Sequence, residues 1–222
     1  MLIELKDPLA RLLGLVSQQS GGRERRTLIA LAGLPGSGKS TVAARLAGAV
    51  NAHAGAGVMV ALGMDGFHFR KAQLARFANP AEALKRRGAP WTFDAAALAQ
   101  RLQDLRDSRK SVLWPDFEHG VGDPVADAIT ILPSARIVLV EGLYLLHNDH
   151  GWQHAHLFDE CWFLDVTMEV AMDRLVQRHM TANHQSREVA LRRLAVNDRL
   201  NADIMQRSRE RAQYSIENVI YQ

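Results

Sequence analysis

Eight consecutive residues, Gly33-Leu34-Pro35-Gly36-Ser37-Gly38-Lys39-Ser40, carry the pattern G-x-x-x-x-G-K-[ST] in full. Glycines at these places let backbone N–H groups turn inward around phosphate oxygens. A helix beginning near Lys39 would point its positive dipole end at the same oxygens. Lys39 is then placed to reach the β- and γ-phosphates, the Ser40 hydroxyl to ligate Mg²⁺, and Thr41 to extend the nucleotide contacts. The chain holds 22 Arg and 5 Lys, so a lysine here is chemically pointed: a compact ammonium fits a crowded loop where a planar guanidinium does not. A phosphate-binding loop names a nucleotide but no reaction, because switches, molecular machines and phosphoryl transferases all use it.

Three further segments narrow the chemistry. Met64-Asp65-Gly66-Phe67-His68-Phe69 follows an apolar run of strand length, which places Asp65 at the carboxyl end of a strand, beside the crevice of a parallel sheet. A carboxylate there can take the proton of an attacking hydroxyl or hold the water shell of a metal. Ile137-Val138-Leu139-Val140-Glu141-Gly142 is a second apolar run ending in an acid. Glu141 stands where an aspartate is usual at a metal-bearing strand end, and its extra methylene lets it reach metal through water or touch substrate. Arg174 and Arg178 are four apart, hence on one helix face. Arg187, Arg192 and Arg193 follow. Arginines on two helices around a loop are suited to a lid that stabilises charge on a transferring phosphoryl group. The plainer reading of the second cluster is a solvated face paired with nearby acids.

These groups need a scaffold, and the rest of the chain supplies one. Apolar runs of strand length at 27–32, 57–64, 137–140, 161–166 and 214–221, with a short one at 111–114, alternate with helical stretches, which predicts a parallel α/β sheet. Asp7-Pro8 reads as a cap and first position of a helix to about Gln18, and Asp94 as the cap of a helix over 94–107. Residues 21–26 read as a polar linker and 70–88 as an insert. The whole is expected to be one domain of 222 residues, with 1–20 an N-terminal helix, 70–93 a substrate-covering insert, and 168–205 a lid with flanking helices.

Composition removes other classes. Hydrophobic residues make 47% and charged residues 23% of the chain, enough for a full core without staples. One cysteine, Cys161, cannot close an internal disulfide, and it reads as buried and inert. The opening seven residues carry acids where a targeting peptide carries bases, and no run of 18 apolar residues occurs. The expected setting is soluble and cytoplasmic, with neither membrane nor nucleic acid as partner; a net charge of +3 is too small to argue for the latter. His147, His150, His154 and His156 match no zinc spacing and read as surface residues of a polar loop. Over 70–87 there are six bases and one acid, Glu82, which suggests an insert that covers an anionic acceptor; the alternative is bases that only solvate a loop.

Taken together, residues 33–40, Met64-Asp65-Gly66-Phe67, Arg87-Gly88-Ala89-Pro90-Trp91-Thr92-Phe93-Asp94, Val140-Glu141-Gly142 and Asn197-Asp198 with Asn201 resemble the P-loop kinases typified by uridine kinase, pantothenate kinase and phosphoribulokinase. The nearest likeness is to a bacterial branch named as candidate kinases of a fructose transport system. The resemblance spans roughly 27–205. It implies a three-layer α/β/α P-loop fold with a mainly five-stranded parallel sheet and a helical lid, using ATP and Mg²⁺ to phosphorylate a hydroxyl of a small metabolite. Under it Asp65 is the base, and Lys39 and Arg178 are charge clamps. Arg174 and Asn201 lie on the nucleotide, Asn201 near the adenine. Asp65, His68, Arg87, His119, Glu141 and Tyr144 line the acceptor pocket. A homodimer is an allowed assembly. Phe117 stands where the uridine kinases have tyrosine, which argues against uridine as acceptor.

Two other readings start from the same loop. One is a regulatory NTPase without an acceptor, against which no Asn-Lys-x-Asp guanine-reading element is found. The other is a nucleotide kinase, whose phosphate acceptor has no need of a base such as Asp65.

Overall fold

The computed structural model describes residues 2–19, 25–118, 120–182 and 186–217. Among the described residues are eight strands and eight α-helices: β1 (Ile3–Glu4), α1 (Pro8–Gln18), β2 (Thr27–Gly33), α2 (Lys39–Ala54), β3 (Met59–Gly63), α3 (Lys71–Leu74), α4 (Pro80–Lys85), α5 (Ala95–Asp104), β4 (Val112–Glu118), β5 (Asp123–Ile131), β6 (Ile137–Gly142), β7 (Glu160–Asp165), α6 (Met168–Ala182), α7 (Arg187–Arg193), α8 (Arg199–Ser208) and β8 (Tyr214–Glu217). The main sheet has the order β1-β8-β7-β2-β6-β3 and every pair in it is parallel. It therefore has six strands and not five. The sixth is the two-residue β1, too short to show a period, which gains its place by pairing Ile3 with Tyr214.

β2 lies at the centre and is buried along its whole length. Its side chains divide by the period of two. Leu28 and Ala30 face a core shared with α5 (Leu98, Leu102), α6 (Leu175) and α8 (Met205). Ile29 and Leu31 face a second core with α1 (Leu12, Val16) and α2 (Val42, Leu46, Val50). Helices on both faces explain why the central strands read as continuous apolar runs. Asp7 caps α1 by accepting from Ala10 N at 2.8 Å, and Asp94 caps α5 by accepting from Ala97 N at 2.9 Å.

Two segments depart from the sequence reading. The run at 111–114 is not a strand of the main sheet. It opens β4, which pairs antiparallel with β5 as a separate hairpin laid across the carboxyl end of β3. Trp114 fastens it there by donating to the Gly63 carbonyl at 2.9 Å and meeting Phe67 edge to face. The stretch expected to be a linker ends instead in Arg26, which is 1% exposed. Its guanidinium donates to the carbonyls of Leu105, Asp107, Lys110, Leu132 and Ala135 at 2.7–3.2 Å.

The histidine loop also differs. His147 is buried at 8% exposure, beside Tyr144, and His154 donates through Nε2 to the Ala95 carbonyl at 2.9 Å. Burial holds both imidazoles below the ordinary histidine range. A base whose folded pKa is depressed takes up fewer protons than the unfolded chain as pH falls, so stability is lost below about pH 6.5. The loss levels off once pH passes under the folded values. Thermal melts from pH 8 to pH 5 are expected to show this decline, with a shallower slope in His147→Phe; an unchanged slope in that variant would count against the assignment.

Candidate functional site

The phosphate loop joins β2 to α2, as its motif requires. Gly36 has φ +80°, and a Cβ there would run into the Ala171 carbonyl of α6 and the Leu175 side chain. Only glycine fits, and the loop apex is thereby seated against α6. Arg174 adds to this contact, its guanidinium donating to the Ser37 carbonyl at 3.1 Å. Lys39 is 8% exposed and rests its ammonium on the carbonyls of Gly33 (3.2 Å) and Leu34 (2.9 Å). Burial depresses the Lys39 pKa, the carboxylates of Glu141 and Asp65 oppose this, and Arg178 adds to it. Lys39 is thus within electrostatic reach of Glu141, Asp65 and Arg178.

Ser40 donates to Glu141 Oε1 at 2.8 Å. Burial raises the Glu141 pKa, Lys39 lowers it, and Asp65 raises it further by repulsion. Asp65 opens a 3₁₀ turn, Asp65–Phe67, just after β3 and is exposed. The turn is fixed from both sides. The His68 ring donates through Nδ1 to the Asp65 carbonyl at 2.8 Å, and Gly66 lies so close to the hairpin that a Cβ would collide with the Pro115 carbonyl and stand 2.9 Å from Asp116 N. Both obstacles are backbone and cannot turn aside. Gly66→Ala is accordingly expected to cost roughly 1–3 kcal/mol, the range for overpacking, and to lower Tm by several degrees while displacing Asp65. A melt and a turnover assay on the same preparation would check both effects.

His68 lies between Phe93 (ring centroids 3.9 Å apart) and Phe117 (4.8 Å), forming an aromatic wall beside Asp65. The other residues expected in the acceptor pocket take different roles. The Arg87 guanidinium pairs with Asp123 at 2.6 Å, donates to the carbonyls of Phe69 and Gly122, and covers the Phe117 ring at 5.6 Å. Arg87 thus clamps the insert to the hairpin and backs the wall from behind. Tyr144 is fully buried, with its hydroxyl on the Gly88 carbonyl at 2.5 Å, and burial drives its pKa far up. It is a strut for the insert and not a pocket surface. Asn201, expected near adenine, is 3% exposed, donates to the Gly88 carbonyl at 3.1 Å and accepts from Arg86. Its polar atoms are engaged within the protein, on the insert. His119 lies outside the described residues.

The insert's positive charge is also distributed differently from the arithmetic. Lys71 donates to the Val121 carbonyl at 2.9 Å, Arg86 to the Val196 carbonyl at 2.7 Å, and Arg87 is paired as above. Three of the six bases therefore hold structure together, and Arg70, Arg76 and Lys85 remain exposed. On α7, Arg192 pairs with Glu188 at 2.6 Å with both side chains exposed, the solvated-face reading. Cys161 is buried, its thiol pKa raised to about 11 by burial and by Glu160. No group of three or more His, Cys, Asp or Glu able to hold a metal occurs among the described residues, and none of their helices is long and apolar enough to cross a membrane.

Sequence reasoning missed three features that shape this site: the β4–β5 hairpin, the buried hydrogen bond between His179 Nε2 and Asp198 at 2.9 Å, and a π-helical turn at Leu194–Asp198. Glycines at 120 and 122 are a turn signal that would have revealed the hairpin. A π turn has no comparable sequence signature.

A sequence model of the Phosphoribulokinase / Uridine kinase family matches residues 28–219. A candidate uridine kinase of Schizosaccharomyces pombe is 40% identical over 190 residues, covering 83% of this chain and 80% of that protein. Among solved structures, a candidate fructose transport system kinase from Silicibacter sp. TM1040 superposes with a TM-score of 0.82 at 32% identity, over 94% of this chain and 98% of that one. YFH7 from Saccharomyces cerevisiae, at 19% identity, shares the fold with a TM-score of 0.78 over 95% of this chain and 98% of its own. With its phosphate loop between β2 and α2 and an acid at the end of two neighbouring strands, the chain belongs to the phosphoribulokinase/uridine kinase family of P-loop kinases.

Proposed function

We propose that the protein transfers the γ-phosphoryl group of ATP to a hydroxyl of a small metabolite, with Asp65 as the base. The observation that carries this reading is the exposed Asp65 carboxylate at the carboxyl end of β3, within electrostatic reach of Lys39 and Glu141 beside the phosphate loop. The acceptor hydroxyl gives its proton to Asp65 as its oxygen bonds to the γ-phosphorus. The bond from that phosphorus to the β–γ bridging oxygen breaks, and ADP leaves. Lys39 and Arg178 offset the charge on the transferring group, which is most of what such a transfer asks of a protein.

Ser40 and Glu141 bring hard oxygen donors together at 2.8 Å, a donor set that fits Mg²⁺, an ion commonly held by few protein ligands with water and phosphate completing the shell. When bound, the ion neutralises charge on the phosphate oxygens. Glu141, with its pKa raised, retains the option of contacting substrate.

The reading is tested with ATP and a panel of sugars, nucleosides, pantothenate and sugar phosphates, following ADP release over the no-acceptor background. Stimulation by one class is expected. Equal release with and without every acceptor would favour a regulatory NTPase.

A further inference from the structure

The π turn at Leu194–Asp198 meets the insert at one corner, Arg86-Arg87-Gly88. Asn197 Nδ2 donates to the Arg87 carbonyl at 3.1 Å, and Asn201 Nδ2 and the Tyr144 hydroxyl both donate to the Gly88 carbonyl. In the other direction, Arg86 reaches the Val196 carbonyl. Short π segments recur at functional positions in helices because they present side chains off the regular spacing. Here the offset falls on the residues that grip the corner.

Each side of the corner leads to half of the site. On the lid side, Asp198 is bound by His179, which shares α6 with Arg174 and Arg178; Arg174 holds the Ser37 carbonyl at the apex of the phosphate loop. On the acceptor side, the Arg87 guanidinium covers Phe117, Phe117 meets His68, and His68 is bonded to the Asp65 carbonyl. Asn197 Oδ1, an acceptor, and Arg87 Nε, a donor, are buried at this joint with no partner among the protein's own described groups.

We propose that Asn197, with Asn201 beside it, is a positioning residue: it holds the Arg86–Gly88 corner to the lid, so that nucleotide on the phosphate loop orders the aromatic acceptor wall. Nucleotide draws in Arg174 and Arg178, and α6 carries that displacement through His179 and Asp198 to the π turn. The insert follows because its backbone is hydrogen-bonded there. The inference rests on the kinase reading above and adds to it an order of events, in which the acceptor wall is completed after ATP binds.

Amide hydrogen exchange with Mg²⁺ and a non-hydrolysable ATP analogue tests this without knowledge of the acceptor. In the wild type, the analogue is expected to slow exchange in α2 and also across 86–93, the latter by about 5-fold or more, the lower end of usual coupling. In Asn197→Leu and in the isosteric Asn197→Asp, α2 stays protected while the effect over 86–93 is lost. Protection of α2 without any over 86–93 in the wild type overturns the coupling and leaves the kinase reading intact. So does full retention at 86–93 in both variants. Absence of protection in α2 of the wild type would contradict nucleotide binding itself, and both readings with it.

Discussion

Asp65→Asn is expected to lower kcat by about 10²–10⁴-fold, the usual worth of a positioned general base, and to leave ATP affinity nearly intact. The substitution preserves shape, and the turn that carries residue 65 is fixed by contacts that do not use its carboxylate: the His68 ring bonds the backbone carbonyl, and Gly66 is wedged against the hairpin. What is lost is the group that takes the acceptor's proton. Removing one negative charge also lets the Glu141 pKa fall back, since Asp65 contributes to its elevation, so the Glu141 carboxylate is better ionised in the variant. A drop in turnover therefore reports the base and not damage to the nucleotide side. ATP titration and turnover on one preparation decide the matter, and unchanged turnover would remove Asp65 from this role.

The second large effect concerns stability. Arg26→Leu is expected to destabilise the fold by at least about 3 kcal/mol, because it leaves several enclosed carbonyls without donors at roughly 1–3 kcal/mol each. For a chain of this size that corresponds to a Tm lower by about 6–12 °C. Burial pushes the Arg26 pKa down, with Asp107 opposing, yet five carbonyl partners suit a guanidinium and no other side chain. Arg26→Lys, with three donors on a flexible stem, is expected to recover only part of the loss. A Tm within 2 °C of wild type for Arg26→Leu would show that water can replace the fork.

Much of the site could be read from residue types because its chemistry is local. A glycine-rich turn between a strand and a helix, an acid after each of two apolar runs and two arginines one helical turn apart are all short-range patterns, and the fold brings Ser40 onto Glu141 and puts Asp65, Glu141 and Arg178 within electrostatic reach of Lys39. What escaped depends on partners distant in sequence. Arg26 meets carbonyls 79 to 109 residues away, and Arg87 meets Asp123 across 36; nothing at position 26 or 87 announces such partners. The same holds for Asn201 and Tyr144, whose types suit a ligand pocket but whose hydrogen bonds end on Gly88. The insert's net charge has the same weakness: a sum over residues is blind to which cations are already bound. β1 and β5 escaped for another reason, one being two residues long and the other a mostly exposed hairpin strand with little apolar period to display.

The central claim is that a carbon-bound hydroxyl receives the phosphoryl group. Phosphorus NMR of a reaction holding ATP, Mg²⁺ and the stimulating acceptor tests it most directly, because the chemical form of the product is read without assuming its identity. A new phosphate monoester signal is expected to grow in step with ADP and to be strongly diminished in Asp65→Asn. Growth of inorganic phosphate alone, or of a new diphosphate in place of a monoester, would contradict it.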